Sequence, residues 1–285
     1  MLAGLVERCR FPPPGAPIDC AFSGGADSTA LIAIAGRAGL RVTAHHVDHG
    51  IRPESHDEAD LARSIAARLE VRFELHRVTV VPGPNLEARA RAARRQSLPE
   101  GVATGHTADD QAETVLLRLL RGSGSAGLAA MRPGPTHPIL GLRRTDTAEV
   151  CRSLGLTVVH DASNDRGDVW RNRVRSEVLP LLTDVSGRDP VPILERTADL
   201  LRDDSDFLDR VASEIDPTDA IALVRAPAVL ARRAIRGWLL VGGYPPDAAA
   251  VERVLEVARG EAIACELAGG RRVERSSQRL RIVEP

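Results

Sequence analysis

The chain reads as an α/β protein: a parallel sheet with helices on both faces, followed by a small, mainly helical C-terminal domain. Three observations predict this. Apolar, strand-like runs alternate with capped amphipathic helices from Ile18 to about Val159, the pattern of βαβ units. The first strand meets the first helix through a glycine-bearing turn, Ser23-Gly-Gly-Ala-Asp-Ser28. Beyond Ile193 the helical period takes over, and strand-like residues return only in the tail, Ala262–Val283.

The elements follow in order. Ile18–Phe22 is the first strand, and Thr29–Ile34 lies in the helix behind the turn. Arg41–Val47 is a second strand; Ser55–Leu69 is a helix opened by a Ser cap with acids in its first turn. Val71–Val81 supplies a third strand, Asn85–Ser97 an Arg-rich helix with an Asn cap, and Gly101–Gly105 a short fourth strand. Thr107–Arg121 is the clearest helix, with Ala112, Val115, Leu116, Leu119 and Leu120 on one apolar face. Asp109 and Glu113, four apart, are neighbours at its N-terminal end. Arg121–Pro135 is a Gly/Ser/Pro-rich loop or short helix over the site, and Thr145–Val159 a further αβ-like stretch. Ser186–Pro192 is the domain boundary, which gives a catalytic domain at 1–186 and an accessory domain at 187–285. Ile193–Ile215 is a long amphipathic helix, with further helices near Pro227–Val241 and Pro246–Arg259.

The turn at 23–28 is an anion cradle. Its glycines admit close backbone approach, and the Ser hydroxyls and first helical N–H groups donate to phosphate. The chain has no lysine, so all 38 Lys-or-Arg positions are Arg. A Walker-type loop, a Schiff-base enzyme and a lysine-nucleophile nucleotidyl transferase are thereby excluded. The net charge of −1 and 2% aromatic content place any nucleic-acid contact in a local patch rather than in bulk charge or base stacking. Cys9, Cys20, Cys151 and Cys265 form no metal-ligand spacing. Neither a signal segment nor a membrane span is read, so the expected location is the cytoplasm.

Four blocks carry a resemblance: Ser23–Ser28; His46-Val-Asp-His-Gly-Ile-Arg52; Thr104-Gly-His-Thr-Ala-Asp-Asp-Gln-Ala-Glu-Thr114 with its continuation to Gly124; and Asp161-Ala-Ser-Asn164 followed by Arg171-Asn-Arg-Val-Arg175. Together with Asn85-Leu-Glu-Ala-Arg-Ala-Arg91, this closely resembles the tRNA(Ile)-lysidine synthetases of the PP-loop ATP pyrophosphatase superfamily. The resemblance implies a PP-loop, adenine nucleotide α-hydrolase-like fold. It also implies a ligase that adenylates C2 of the wobble cytidine in a CAU-anticodon isoleucine tRNA with ATP and Mg²⁺, then lets free L-lysine displace AMP.

The residue roles this implies are as follows. Ser23, Gly24, Gly25, Ala26, Asp27 and Ser28 hold ATP, with Asp27 assigned to Mg²⁺ or to helix capping. Asp48, His106, Asp109, Asp110 and Glu113 handle lysine and its protons. Arg89, Arg91, Arg94, Arg95, Arg171, Arg173 and Arg175 contact tRNA phosphate. No metal is assigned to His45, His46, His49 or His106. The chain departs from the family pattern at Arg95/Gln96, where members carry Tyr, and at His137-Pro-Ile-Leu140, where they show Arg-Pro-Leu-Leu. It reads as a short form with one accessory domain, and a homodimer is left open. A tRNA cytidine thiolase is the nearest alternative, disfavoured without a CxxC pair. An amidotransferase lacks room for its glutaminase domain, and a non-catalytic nucleotide-binding module leaves the acidic cluster unused.

Overall fold

The computed structural model describes residues 2–48, 55–78, 86–159, 170–240 and 246–284. It divides into two compact units, Met1–Asp199 and Leu200–Pro285.

In the first unit, strands β1 (Pro17–Ala21), β2 (Arg41–Asp48) and β3 (Arg72–Arg77) form a parallel sheet in the order β1-β2-β3. Parallel neighbours need crossover helices. These are α2 (Ala26–Arg37) and α3 (Ser55–Arg68), which follow the short α1 (Leu2–Val6) in the numbering. One sheet face is apolar: Ile18, Cys20, Phe22, Val42 and Ala44 join Leu31, Ile34 and Ile65 in one buried cluster. Val71–Val81 contributes a shorter strand than expected, and residues 79–85 lie outside the described ones.

After α4 (Leu86–Ser97) the chain returns to the opposite edge of β1. The expected fourth strand, Gly101–Gly105, pairs through a single parallel bridge, Cys20 with Ala103, fixed by Ala103 N–H to the Asp19 carbonyl and Ala21 N–H to the Ala103 carbonyl, each 2.8 Å. One residue cannot propagate a ladder, because Thr104 N–H turns instead to the Thr136 carbonyl. The direction of winding therefore reverses between β1 and Ala103. In open α/β sheets ligands bind at such a reversal, beyond the strand carboxyl ends.

Helix α5 (Ala108–Leu120) begins at this point, followed by α6 (Ser125–Leu128) and α7 (Arg144–Ser153), which packs on α2. The expected apolar face of α5 is corrected at its end: Leu119 and Leu120 are exposed, whereas Ala108, Gln111, Ala112, Val115 and Leu117 are buried. Asp110 and Glu113 are buried as well, so the first turns are enclosed nearly all round and only the last projects. Helix α8 (Trp170–Arg173) runs through a π-helical stretch, Val174–Val178, into α9 (Leu179–Ser186).

The boundary expected at residues 186/187 contrasts with a division at Asp199/Leu200, inside α10 (Pro190–Ala212). Val191 in the first turn of α10 is buried with Ala108, Ala112, Val174 and Leu179, which binds the start of that helix to the first unit. The second unit packs α11 (Ala220–Arg225), α12 (Ala228–Trp238) and α13 (Ala248–Arg259) with an antiparallel sheet of β4 (Ala264–Glu266), β5 (Arg272–Ser276) and β6 (Arg279–Val283). Leu223, Ile235, Val251, Val254, Val273 and Leu280 form its core. Asp219 and Asp247 cap α11 and α13 by accepting first-turn amides.

Candidate active site

The 23–28 turn closes on itself. Gly24 adopts φ +82°, a conformation glycine supplies without steric cost, and its carbonyl accepts the Val159 N–H at 2.9 Å. Ser28 Oγ donates to the Gly25 carbonyl at 3.0 Å and lies 3.0 Å from Ser23 Oγ, while Ser23 N–H donates to Ser28 Oγ at 3.2 Å. Gly25 is the N-cap of α2, with no side chain to occupy the helix end. The first-turn amides of a twelve-residue helix thus face the strand carboxyl ends with their partial positive charge.

Two segments press on this turn. Gly105 lies so close to α2 that an added Cβ would sit 2.9 Å from both the Asp27 carbonyl carbon and the Ser28 nitrogen. From α7, Thr147 Oγ1 donates to Asp27 Oδ1 at 2.5 Å, and Arg144 Nε stands 3.9 Å from Asp27 Oδ2. Burial pushes the Asp27 carboxyl above its ordinary value, against the pull of the Thr147 hydroxyl. A raised folded-state value means that ionised Asp27 costs stability, in full above that value and not at all below the unfolded value of about 3.8. Asp27→Asn is therefore expected to melt higher than the parent at pH 7 in Mg²⁺-free protein, with the gain shrinking at pH 4.5. An equal or lower melting temperature at pH 7 would contradict the burial argument.

The acids of α5 are gathered as expected, but each is already engaged by an arginine. Thr107 caps the helix, its N–H and hydroxyl both donating to Asp110 Oδ2 at 2.9 Å. Arg144 Nη2 takes Asp110 Oδ1 at 2.5 Å. Burial acts to raise Asp110, yet Arg144 and the Thr107 amide hold it below the usual carboxylate range. Its stabilising contribution is consequently present above the unfolded value of 3.8 and is lost only as pH falls through the lowered one. Asp109 forms a two-pronged pair with Arg143, 3.0 Å on each arm, and accepts the Arg144 N–H at 2.9 Å. Arg143 also reaches Asp189 at 2.5 Å.

Glu113 is completely buried. Arg144 Nη1 meets its Oε1 at 2.7 Å, Arg175 Nε the same oxygen at 2.8 Å, and Arg171 Nε stands 3.2 Å from Oε2. Arg171 Nε is buried and its approach is off-line for a hydrogen bond, so it acts on Glu113 as a charge, while Nη2 donates to Thr114 Oγ1 at 2.8 Å. Arg171 and Arg175 thus turn inward to the acids, whereas Arg173 is exposed and pairs with Glu177. The negative field expected for Asp109, Asp110 and Glu113 is offset by guanidiniums. Arg143, Arg144 and Thr147 were not singled out in the sequence, although the doublet Arg143-Arg144 at a helix start, where cations are disfavoured by the macrodipole, is a signal of engaged charges.

The other expected residues are placed as follows. Asp48 is buried at the carboxyl end of β2. His106 Nδ1 lies 2.7 Å from Thr104 Oγ1, with its ring 5.3 Å from that of His137. His46 Nδ1 donates to the Phe22 carbonyl at 2.8 Å, at the entry to the turn. Arg89 has Nε and Nη2 buried without a hydrogen-bond partner among the described residues, and Arg95 is exposed. The side chains of Arg91 and Arg94, together with His49, Asn85 and Asp161–Asn164, lie outside the described residues. Among the described residues no helix is long and apolar enough to cross a membrane.

Residues 11–182 match the PP-loop domain family. The chain is 44% identical over 241 residues to the tRNA(Ile)-lysidine synthase of Mycobacterium tuberculosis, covering 78% of this chain and 74% of that one. It is 45% identical over 250 residues to the tRNA(Ile)-lysidine synthase of Nocardia farcinica, covering 81% and 78%. Among solved structures, the U34-tRNA thiolase NcsA from Methanococcus maripaludis aligns with a TM-score of 0.53 at 15% identity, over 70% of this chain and 78% of that one, a likeness of fold. The turn at a winding reversal, the family match and the extent of the two bacterial alignments agree, and the chain belongs to the tRNA(Ile)-lysidine synthase family of PP-loop ATP-utilising enzymes.

Proposed function

We propose that this enzyme joins free L-lysine to C2 of the wobble cytidine of a CAU-anticodon isoleucine tRNA. In the first step the C2 oxygen attacks the α-phosphorus of ATP; the bond to the β-phosphate oxygen breaks and pyrophosphate leaves. In the second, the lysine ε-amine attacks C2, a proton is lost from nitrogen, and AMP departs with the former C2 oxygen. The observation that carries this reading is the junction of the 23–28 turn with the α5 acids through Gly105, Thr147 and Arg144, which brings anion donors and carboxylates into one site.

Ser23, Gly24, Gly25, Ala26 and Ser28 bind the departing pyrophosphate through hydroxyls and helix amides, which stabilise charge as it develops. The Asp27 carboxylate, a hard oxygen donor beside those groups, fits Mg²⁺, which binds through one or two carboxylates plus substrate phosphates. That ion would neutralise phosphate charge there. Asp109, Asp110 and His106 are read as the groups that receive lysine, whose amine must be deprotonated before attack, with the Arg143 and Arg144 pairs to the two acids giving way to the incoming ammonium. Asp48, buried at the carboxyl end of β2, is read as a further acid for metal or proton handling. Fully buried Glu113 is saturated by arginines and acts as the centre that positions Arg144, Arg171 and Arg175. Of the arginines expected at tRNA phosphate, Arg95 and Arg173 are exposed and Arg91 and Arg94 stay assigned there, whereas the guanidinium of Arg89 is largely buried.

The burial of Cys9, Cys20 and Cys151 counts against a thiolase, since their thiols are pushed up to about 12, 12 and 11 and stay protonated rather than carrying sulfur or a cluster. The test is to incubate the protein with unmodified isoleucine tRNA, ATP, Mg²⁺ and radiolabelled lysine. Label in the precipitated tRNA is expected. Unlabelled tRNA, with sulfur or ammonia taken up in parallel reactions supplied with sulfide or ammonium in place of lysine, would overturn the reading.

A further inference from the structure

The polar face of the sheet holds a second arrangement that ATP chemistry does not use. Along parallel strands, alternate residues share a face. The register sets His45 of β2 directly opposite Glu74 of β3, with His76 two residues further along. Asp19 of β1 projects onto the same face, away from the Ile18–Cys20–Phe22 core. His45 Nδ1 lies 2.9 Å from His76 Nε2 and 3.5 Å from Glu74 Oε2, and His45 Nε2 lies 2.9 Å from Asp19 Oδ1. The three atoms His45 Nδ1, His76 Nε2 and a Glu74 oxygen all fall within 4.8 Å of one another.

We propose that His45, Glu74 and His76 bind one divalent ion of the Zn²⁺ class, with Asp19 as the outer partner of His45. Three geometric facts lead there. First, a neutral His45 that donates Nε2–H to Asp19 must present Nδ1 as a lone pair. That carboxylate–histidine–metal relay fixes the tautomer and raises ligand basicity. Second, nitrogens bound tetrahedrally at about 2.0–2.1 Å from Zn²⁺ stand about 3.3 Å apart. The 2.9 Å His–His separation must widen by about 0.4 Å as the rings turn to aim both lone pairs at one point, the 3.5 Å His45–Glu74 separation already matches, and the His76–Glu74 separation is within 4.8 Å. Third, Arg72 pairs with Glu74 Oε1 at 2.7 Å, which leaves Oε2 toward His45.

With His45 protonated at Nε2 toward Asp19, His76 Nε2–H is the donor to His45 Nδ1 in the metal-free protein. On metal binding His76 moves that proton to Nδ1, so no net proton is required. Two imidazoles and one carboxylate select a borderline d-block ion over Mg²⁺ or Ca²⁺, which favour all-oxygen shells. His45 is buried, while Asp19 and Glu74 are 48% and 35% exposed, so an ion and a fourth water ligand have access from one side. The ion would tie β2 to β3 and, through Asp19, to β1. Phe22 N–H bonds the His45 carbonyl at 2.8 Å immediately before Ser23, so the clamp sits beneath the phosphate turn.

The experiment uses the full chain, stripped with chelator and titrated with Co²⁺ and then Zn²⁺. One equivalent of Co²⁺ with the intense visible bands of tetrahedral coordination is expected, displaced by Zn²⁺ and absent with Mg²⁺. His76→Gln and Glu74→Gln should each weaken Zn²⁺ binding at least about 100-fold, and Asp19→Asn about 10–100-fold. Asp27→Asn, at the nucleotide turn, should leave it unchanged. Absent tetrahedral bands, or bands that survive both His76→Gln and Glu74→Gln, would overturn the proposal. Should those variants fail to fold, X-ray absorption at the zinc edge of the parent protein decides. Two imidazoles per zinc support the site, and a sulfur or all-oxygen shell refutes it. These readouts do not depend on lysine transfer.

Discussion

Glu113→Ala is expected to be the most damaging single change in the first unit, destabilising it by about 3–5 kcal/mol. The carboxylate is wholly buried, and its loss leaves Arg144, Arg171 and Arg175 facing each other without their shared counter-charge. At roughly 2–4 °C per kcal/mol for a fold of this size, the first melting transition should fall by about 10 °C. Glu113→Gln keeps the shape and one acceptor but not the charge, and should fall between Ala and the parent. Lysine transfer should be lost in both, since Arg144 also holds Asp110 and flanks Asp27. An Ala variant melting within about 1 °C of the parent would show that the buried charge is not what holds the arginines together.

Gly105→Ala should strike nucleotide binding with less general harm. Its Cβ would meet backbone, not a side chain that can swing away, at 2.9 Å from the Asp27 carbonyl carbon and the Ser28 nitrogen. The first turn of α2 has to move, and overpacking of this kind costs about 1–3 kcal/mol. Because the displaced amides are those assigned to the phosphates, ATP affinity should drop by about 100-fold, measured by calorimetry or equilibrium dialysis. Gly36→Ala on the same helix meets nothing within 4 Å and serves as the control, with affinity within about twofold of the parent. Equal affinities for the two variants would remove Gly105 from the nucleotide site.

What the sequence made legible was local. The turn at 23–28 announces itself because its glycines, hydroxyls and helix start are contiguous, and the helix at Thr107 because Ala112, Val115 and Leu116 recur at helical spacing. What it hid was long-range. Arg143 and Arg144 meet Asp109, Asp110 and Glu113 from more than thirty positions away, and nothing in the spacing of either segment shows which charges will cancel. Arg171 and Arg175 read as a basic face, since helical periodicity cannot say that a buried carboxylate lies opposite. Leu119 and Leu120 fit the apolar period yet extend past the core that ends near Leu117. The cluster of His45, Glu74 and His76 emerges only from the register of two strands whose partners lie about thirty residues apart.

If the 23–28 turn directs attack to the α-phosphate, the RNA and not lysine is the first group activated. Label in the α-phosphate of ATP tests this most directly, with unmodified isoleucine tRNA, Mg²⁺ and no lysine. The α-label should become attached to the tRNA while a γ-label leaves as pyrophosphate, and lysine added afterwards should discharge the α-label as AMP. Transfer of the γ-phosphate to RNA, or α-label that appears on lysine rather than tRNA, would show that the turn does not direct adenylation of the RNA.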